Sequence, residues 1–207
     1  MYQGEGLVQR AGREALTLMQ RLQTLYRSLD IDESRYPKAT RPLSELAGLV
    51  KAGLEPSVAW LDVTGWDTHK GQGNAQSGHL SKLIDVWARG LAAFRQDLGA
   101  HFERVTVLVM TEFGRTVRAN GTGGTDHGHG SVMLLLGGGV RGGRVHGSFP
   151  GLGPGQLYQD RDLRITTDFR TVFAEVAAYH FAISDPTVLF PEFAPSAPLG
   201  LFQPRPV

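Results

Sequence analysis

The chain has 207 residues, of which 41% are hydrophobic and 20% charged, and it is long enough to bury the core of one soluble globular domain. The formal net charge is +1 with both signs interspersed, which argues against a nucleic-acid or anionic-membrane partner. No apolar run reaches the roughly 18–20 residues that span a bilayer, and residues 1–6 show no signal-peptide pattern. Because there is no cysteine, a metal would have to be held by His, Asp, Glu and water.

Two helices are predicted in the first part of the chain. Residues 7–29 carry apolar side chains at three- and four-residue steps, which is typical of a helix that packs one face on a core. The repeating positions are Leu7, Ala11, Ala15, Leu18, Leu22, Leu25 and Leu29. A second helix is predicted from Leu43 to Ala52, where Gly53 and Pro56 end it.

A strand–helix–strand unit is predicted next. The apolar segment from Ser57 to Val63 indicates a buried strand, and the aliphatic run from Val105 to Met110 is typical of a parallel sheet covered on both faces. The helix between them would place Leu80, Leu83, Ile84, Trp87, Leu91, Phe94 and Leu98 on one face. A right-handed crossover of this kind puts both strand ends on the edge of the sheet where ligands bind.

The remainder is rich in glycine and less regular. More than half of the 27 glycines lie between Gly114 and Gly155. In this part the sequence predicts a strand from Val132 to Leu136 and a β-ribbon through Arg144-Val145-His146. A last helix is predicted from Asp168 to Phe181, and an irregular tail from Pro191 to Val207 is predicted to lie over the surface.

Polar clusters follow the predicted strands and are the candidate site. Asp67 and His69 stand two residues apart, so in extended backbone their side chains project to the same side and can share one ion. The same relation holds for His127 and His129. Carboxylates and imidazoles together suit a divalent cation, and Arg115 could contact a phosphoryl or sulfuryl oxygen. The candidate metal ligands are Asp67, His69, Glu112, Asp126, His127 and His129.

Ordinary structural roles are open for the same residues. Asp67 alone could be a turn or capping residue, and His69 alone an exposed loop residue. Glu112 and Arg115 could form an internal ion pair at a strand end, and Asp126 could be a turn former in a glycine-rich loop. Four other histidines are interpreted as structural or solvated, namely His79, His101, His146 and His180.

A series of segments gives the sequence a family resemblance. They are Gly65-Trp66-Asp67-Thr68-His69, Thr111-Glu112-Phe113-Gly114-Arg115, Asn120-Gly121, Gly124-Thr125-Asp126-His127-Gly128-His129, Leu136-Gly137-Gly138-Gly139-Val140 and Thr166-Thr167-Asp168-Phe169-Arg170. In this order they resemble the DUF1501 family of bacterial proteins, which is grouped with the alkaline phosphatase and sulfatase superfamily. The resemblance runs over nearly the whole chain. It implies one α/β domain over residues 1–207, the C-terminal portion of a three-layer α/β/α sandwich with a mostly parallel sheet and a one- or two-metal site.

The resemblance also assigns positions. Asp67 and His69 fall where the superfamily has an Asp and a His after a core strand, and His127 or His129 falls where a final His ligand precedes another strand. Glu112 stands where an Asp-His pair is usual, so Asp126-His127 could take over that role or the second metal could be lost. Family members are typically about twice as long, and the missing N-terminal segment would carry the nucleophilic Ser or Thr and a twin-arginine export signal.

Two functions of different classes are therefore expected. One is a metal-dependent hydrolase of small phosphate or sulfate esters, with zinc as the first choice and manganese, magnesium or calcium as alternatives, inactive alone if the missing segment is essential. The other is a non-catalytic binding or assembly module that holds a structural ion or none. A sheet edge exposed by the missing half would also favour self-association.

Overall fold

The computed structural model describes residues 6–29, 31–54, 56–194 and 197–204. The described residues form the helices α1 (Leu7–Ser28), α2 (Pro42–Lys51), α3 (His79–Leu98) and α4 (Phe169–Phe181), and the strands β1 (Thr106–Val109), β2 (Gly114–Arg115), β3 (His127–Gly128) and β4 (Leu134–Gly137). Short 3-10 helices cover Glu33–Arg35, Lys38–Thr40, Gly99–Arg104 and Pro186–Val188. Two compact units result, Met1–Asp62 with Val86–Gly99, and Val63–Asp85 with Ala100–Val207. No helix in the described ranges is long and apolar enough to cross a membrane.

The four α-helices confirm the helical predictions to within a few residues. Pro42 begins α2, where a missing N–H costs nothing because the first N–H groups of a helix have no partner in the helix. Asp168 caps α4, since its side chain accepts a hydrogen bond from the backbone N–H of Arg170 at 2.9 Å. Apolar periodicity therefore places the helices, and Pro42 and Asp168 mark the starts of α2 and α4.

The predicted mostly parallel three-layer sandwich is wrong. The described strands form two separate antiparallel pairs: β1 with β4, where Thr106 lies opposite Gly137, and β2 with β3, where Arg115 lies opposite His127. A parallel pair requires a long crossover, usually a helix. Residues 110–133, all of them described, contain no helix between β1 and β4, so the chain returns antiparallel to β1.

The predicted strand from Ser57 to Val63 is also wrong. This segment has no regular secondary structure, and the side chains of Val58 and Trp60 are each 73% exposed. Apolar composition suggested burial, but a strand also needs a neighbouring strand to take up its backbone hydrogen bonds, and none pairs here among the described residues. The ribbon predicted around Val145 is absent for the same reason, and Val145 is exposed.

The tail contributes to the second unit more than the sequence indicates. Phe193 and Leu201 are buried, and Phe202 forms an isolated antiparallel bridge with Val140. The carboxylate of Glu175 in α4 accepts hydrogen bonds from the backbone N–H groups of Leu199 and Leu201. The described part of the tail is therefore packed against its unit, not laid loosely over it.

The first unit has its core around α2 and the second half of α3. Phe94 and Leu98 are almost fully buried, together with Leu43 and Tyr36. The Tyr36 hydroxyl donates to Asp97 Oδ2 at 2.9 Å, and Lys51 Nζ donates to Asp97 Oδ1 at 2.6 Å. Since the Asp97 side chain is only 7% exposed, both contacts compensate a carboxylate that has lost most of its hydration.

Tyr36→Phe should lower the free energy of unfolding by about 1 kcal/mol at neutral pH, because it removes one partner of a buried carboxylate. Burial, followed by the hydrogen bond to Asp97, raises the pKa of Tyr36. The parent should therefore lose stability as the pH rises above about 10, where the unfolded Tyr ionises and the folded one does not. The free energy of unfolding, measured by urea denaturation of the parent and of Tyr36→Phe at neutral pH and above about pH 10, tests this prediction.

Tyr158→Phe is the matched control, since Tyr158 is 38% exposed, and we expect its unfolding free energy to stay within about 0.5 kcal/mol of the parent. An alkaline loss of stability that persists unchanged in Tyr36→Phe would contradict the role given to the Tyr36 hydroxyl.

Candidate metal centre

Three segments of the second unit meet at the candidate site. Residues 68–72 run beside residues 122–125: Lys70 and Gly123 form an antiparallel bridge, and the N–H of Thr125 donates to the carbonyl of Thr68 at 3.2 Å. The β2–β3 pair adds Arg115 directly opposite His127. Side chains that are far apart in sequence are thereby held on one surface.

Asp67 lies at the centre of this surface. Its Oδ1 atom is 3.1 Å from His69 Nε2, 3.0 Å from His127 Nε2 and 2.8 Å from the Arg115 guanidinium. One oxygen atom therefore faces three nitrogen atoms from three segments. The three side chains Asp67, His69 and His127 each offer one ligand atom, and these atoms lie within 4.8 Å of one another.

The second nitrogen of His69 is held by another carboxylate. His69 Nδ1 lies 2.9 Å from Asp126 Oδ1, and the Asn120 amide donates to the same oxygen at 2.9 Å and to the His69 carbonyl at 3.0 Å. A neutral imidazole carries one proton, so it can donate to only one of the two carboxylates. If Nδ1 donates to Asp126, the lone pair of Nε2 faces Asp67, an arrangement that a cation between the two atoms would stabilise.

Arg115 ties the segments together. Its guanidinium donates to the carbonyls of Trp66 at 2.6 Å and Thr125 at 2.8 Å, besides the carboxylate of Asp67. Its side chain is 23% exposed, so these bonds are partly shielded from water. The predicted contact of Arg115 with a substrate anion is not tested by this geometry and stays a prediction.

Aromatic packing fixes the His127 ring. Phe113 stacks on it with the ring centroids 3.7 Å apart and the planes 13° from parallel, and Arg115 lies 5.0 Å from the Phe113 ring centroid. The stacked ring limits rotation of the imidazole and directs Nε2 toward Asp67.

Close backbone packing explains the glycine at position 124. A Cβ atom there would overlap the backbone of His69 and the carbonyl oxygen of Thr68. Below this contact, Gln72 Oε1 accepts hydrogen bonds from the hydroxyls of Thr68 at 2.7 Å and Thr125 at 2.8 Å, and both threonines are buried. The polar surface cluster therefore rests on two buried threonines whose hydroxyls are both bonded to Gln72.

The hydrogen bonds keep both carboxylates ionised. The bond from His127, followed by that from Arg115, holds the pKa of Asp67 below the usual value for Asp, and the bonds from Asn120 and His69 do the same for Asp126. A lowered folded pKa adds stability above the unfolded pKa, and this stability is lost as the pH falls through the folded value. At neutral pH the cluster therefore carries two ionised carboxylates, of which Asp67 is bonded to Arg115 and Asp126 to His69 and Asn120, and ionised carboxylates suit a cation.

The other predicted ligands are placed differently. Asp126 contacts His69 from the side opposite to Asp67. Glu112 is exposed in the bend between β1 and β2, and His129 stacks on Tyr158 with the ring centroids 4.1 Å apart. Among the described residues, neither Glu112 nor His129 belongs to the group that could share one ion, and their ligand roles stay predictions.

Sequence reasoning gave no role to three residues that shape the site, namely Asn120, Gln72 and Phe113. Asn120-Gly121 and Phe113 stand within the segments that carry the family resemblance, which was the available signal. Gln72 had no such signal, because an amide oxygen that joins two hydroxyls is recognised only in the folded structure.

Gly124→Ala should lower the free energy of unfolding of the parent chain by about 1–3 kcal/mol, as overpacked sites do. Gly121→Ala is the matched control, since no atom lies within 4 Å of a Cβ at that position and neither glycine has a positive φ. Urea denaturation measures both variants. Equal stability of the two would show that the 68–72 segment does not pack against Gly124.

Comparison with known proteins gives one match. The sequence matches the family described as "protein of unknown function (DUF1501)" over residues 3–190. Neither the curated proteins nor the solved structures gave a match. Since the matched region covers most of the 207 residues, the chain belongs to the DUF1501 family.

Proposed function

We propose that the chain binds a divalent cation through Asp67 Oδ1, His69 Nε2 and His127 Nε2, and that this centre hydrolyses phosphate or sulfate esters. The observation that carries the proposal is the gathering of these three ligand atoms within 4.8 Å, from segments about 60 residues apart in sequence. Zinc is the first choice of metal, because two imidazoles and one carboxylate form a donor set found in catalytic zinc sites.

The spacing of the donor atoms supports an ion. Ligands at the usual zinc bond lengths stand about 3.3 Å apart in a tetrahedral site, and the two nitrogen–oxygen distances here are 3.1 and 3.0 Å. Three protein ligands leave one position for water or substrate. Asp126 would orient His69 through Nδ1, which is the usual arrangement around metal-bound histidines.

The electrostatics support an anionic substrate. With neutral histidines, the carboxylates of Asp67, Asp126 and Asp162 outnumber the guanidiniums of Arg115 and Arg161 by one, whereas a divalent ion would make this set of charges positive. The side chains of Asp67, His69 and His127 are 43–56% exposed, so an ester group in solution could reach them. A bound divalent ion would activate water and neutralise charge on the ester oxygens, while Arg115 and Phe113 would hold the ligands in place.

A non-catalytic module is the second candidate, and the bonds of Arg115 favour it. The guanidinium joins the carbonyls of Trp66 and Thr125 to the carboxylate of Asp67, so the same residues could serve mainly to fasten loops. The two candidates differ in whether metal binding is accompanied by turnover.

The metal content of two histidine variants tests which imidazole binds the ion. After dialysis against zinc, the parent should hold about one ion per chain, and His127→Ala should lose it because three ligands become two. His129→Ala is the matched control, since His129 is an exposed imidazole two residues away that stacks on Tyr158. Elemental analysis gives the result, with circular dichroism to verify folding. Metal retained by His127→Ala, or absent from the folded parent, would refute the assigned site.

Turnover tests the hydrolase proposal separately. The zinc-loaded parent should release p-nitrophenol from p-nitrophenyl phosphate or p-nitrophenyl sulfate. Asp67→Asn should lower the rate of release by at least about tenfold, because it removes the negative charge that faces His69, Arg115 and His127. The metal chelator EDTA should abolish the activity. A zinc-loaded parent that turns over neither ester would favour the non-catalytic module.

A further inference from the structure

The helix α1 carries an unusual amount of exposed apolar surface. Val8 is 69% exposed, Leu18 57% and Met19 56%, and the side chains of Ala11 and Ala15 are exposed as well. The stripe expected to face a core is therefore open to solvent at Val8, Ala11, Ala15 and Leu18, while Leu25 and Leu29 near its end are half-buried. Exposed apolar patches of this kind mark interaction sites.

The spacing of the stripe is that of a coiled coil. Apolar residues occupy every a and d position of three consecutive heptads in α1: Val8, Ala15 and Leu22 at a, and Ala11, Leu18 and Leu25 at d. A strict seven-residue repeat of this type keeps one seam facing a partner helix along its whole length. Met19 and Tyr26 at the e positions widen the apolar face beyond this seam, and they are 56% and 44% exposed.

We propose that α1 binds α1 of a second copy of this chain as an antiparallel two-helix coiled coil. In the register that places Ala15 opposite Leu18 of the second copy, Val8 lies opposite Leu25. Each layer then pairs a smaller with a larger side chain, which fills the space between helices evenly. A parallel pair would place Ala11 and Ala15 against their own copies and leave voids.

The charges next to the seam agree with the same register. Glu14 and Arg21 both occupy g positions, and in this antiparallel arrangement Glu14 of each copy lies opposite Arg21 of the other. The dimer therefore gains two ion pairs across the seam. In a parallel pair Glu14 and Arg21 would face the uncharged e positions Met19 and Tyr26, so the charges select the antiparallel form.

The first experiment measures molar mass in solution by light scattering after size exclusion. Three heptads form a modest interface, so a protein concentration on the order of 100 µM is needed. At that concentration the parent should form a dimer with twice the chain mass of 22.5 kDa. Leu18→Glu, which places a charge at a seam position, should be monomeric. Leu16→Glu is the matched control, because Leu16 is 48% exposed but lies at a b position, and it should stay dimeric.

The second experiment tests the direction of the helices. The natural chain has no cysteine, so Ala15→Cys and Leu18→Cys each introduce a single thiol. When the two variants are mixed under mild oxidation, a disulfide should form between an Ala15→Cys chain and a Leu18→Cys chain. This cross-link should form at least tenfold faster than a disulfide between two chains of the same variant. The proposal would be overturned by a monomeric parent, by loss of the dimer in Leu16→Glu, or by faster cross-linking of like chains. A monomeric parent would indicate that the exposed face of α1 binds a different protein.

Discussion

A single oxygen atom, Asp67 Oδ1, organises the candidate centre. It lies within 3.1 Å of nitrogen atoms from His69, Arg115 and His127, which belong to three separate segments. The hydrogen bonds from His127 and Arg115 keep that carboxylate ionised, and the two imidazoles meet at the same oxygen. Neutralising this carboxylate would weaken its charge-assisted hydrogen bond with the Arg115 guanidinium.

The residues around Asp67 position the loops and the two imidazoles. Arg115 fastens the loops through two backbone carbonyls, and Asp126 holds the far nitrogen of His69. Glycine at position 124 permits the close approach of the His69 backbone. These supporting contacts leave the Nε2 atoms of both histidines directed at Asp67 Oδ1. The same geometry could bind a catalytic ion, bind a structural ion, or hold the loops together without an ion. The proposed zinc centre differs from the ion-free arrangement only in the bound metal.

The sequence predicted local features well and long-range pairing poorly. The four helices follow from apolar periodicity, and the cap of α4 from Asp168. Asp67 and His69, two residues apart, lie with Asp67 Oδ1 3.1 Å from His69 Nε2, although the backbone turns at Asp67 and is not extended there. The antiparallel return of β4 could not be read from its composition, because an aliphatic run fits either strand direction. The spacing of His127 and His129 suggested a shared ion, yet their surroundings differ, as Tyr158, far along the chain, stacks on His129. Exposure of α1 was likewise hidden, since a heptad stripe is apolar whether it faces a core or another chain.

The most direct test of the metal centre is a side-chain 1H–15N NMR spectrum of the histidines during zinc titration. Binding as proposed should shift the Nε2 resonances of His69 and His127 together, saturate near one equivalent and leave Nδ1 of His69 protonated toward Asp126, while His129 stays unchanged. Coordination through Nδ1 of His69, or a response of His129 without His69, would contradict the ligand set built around Asp67.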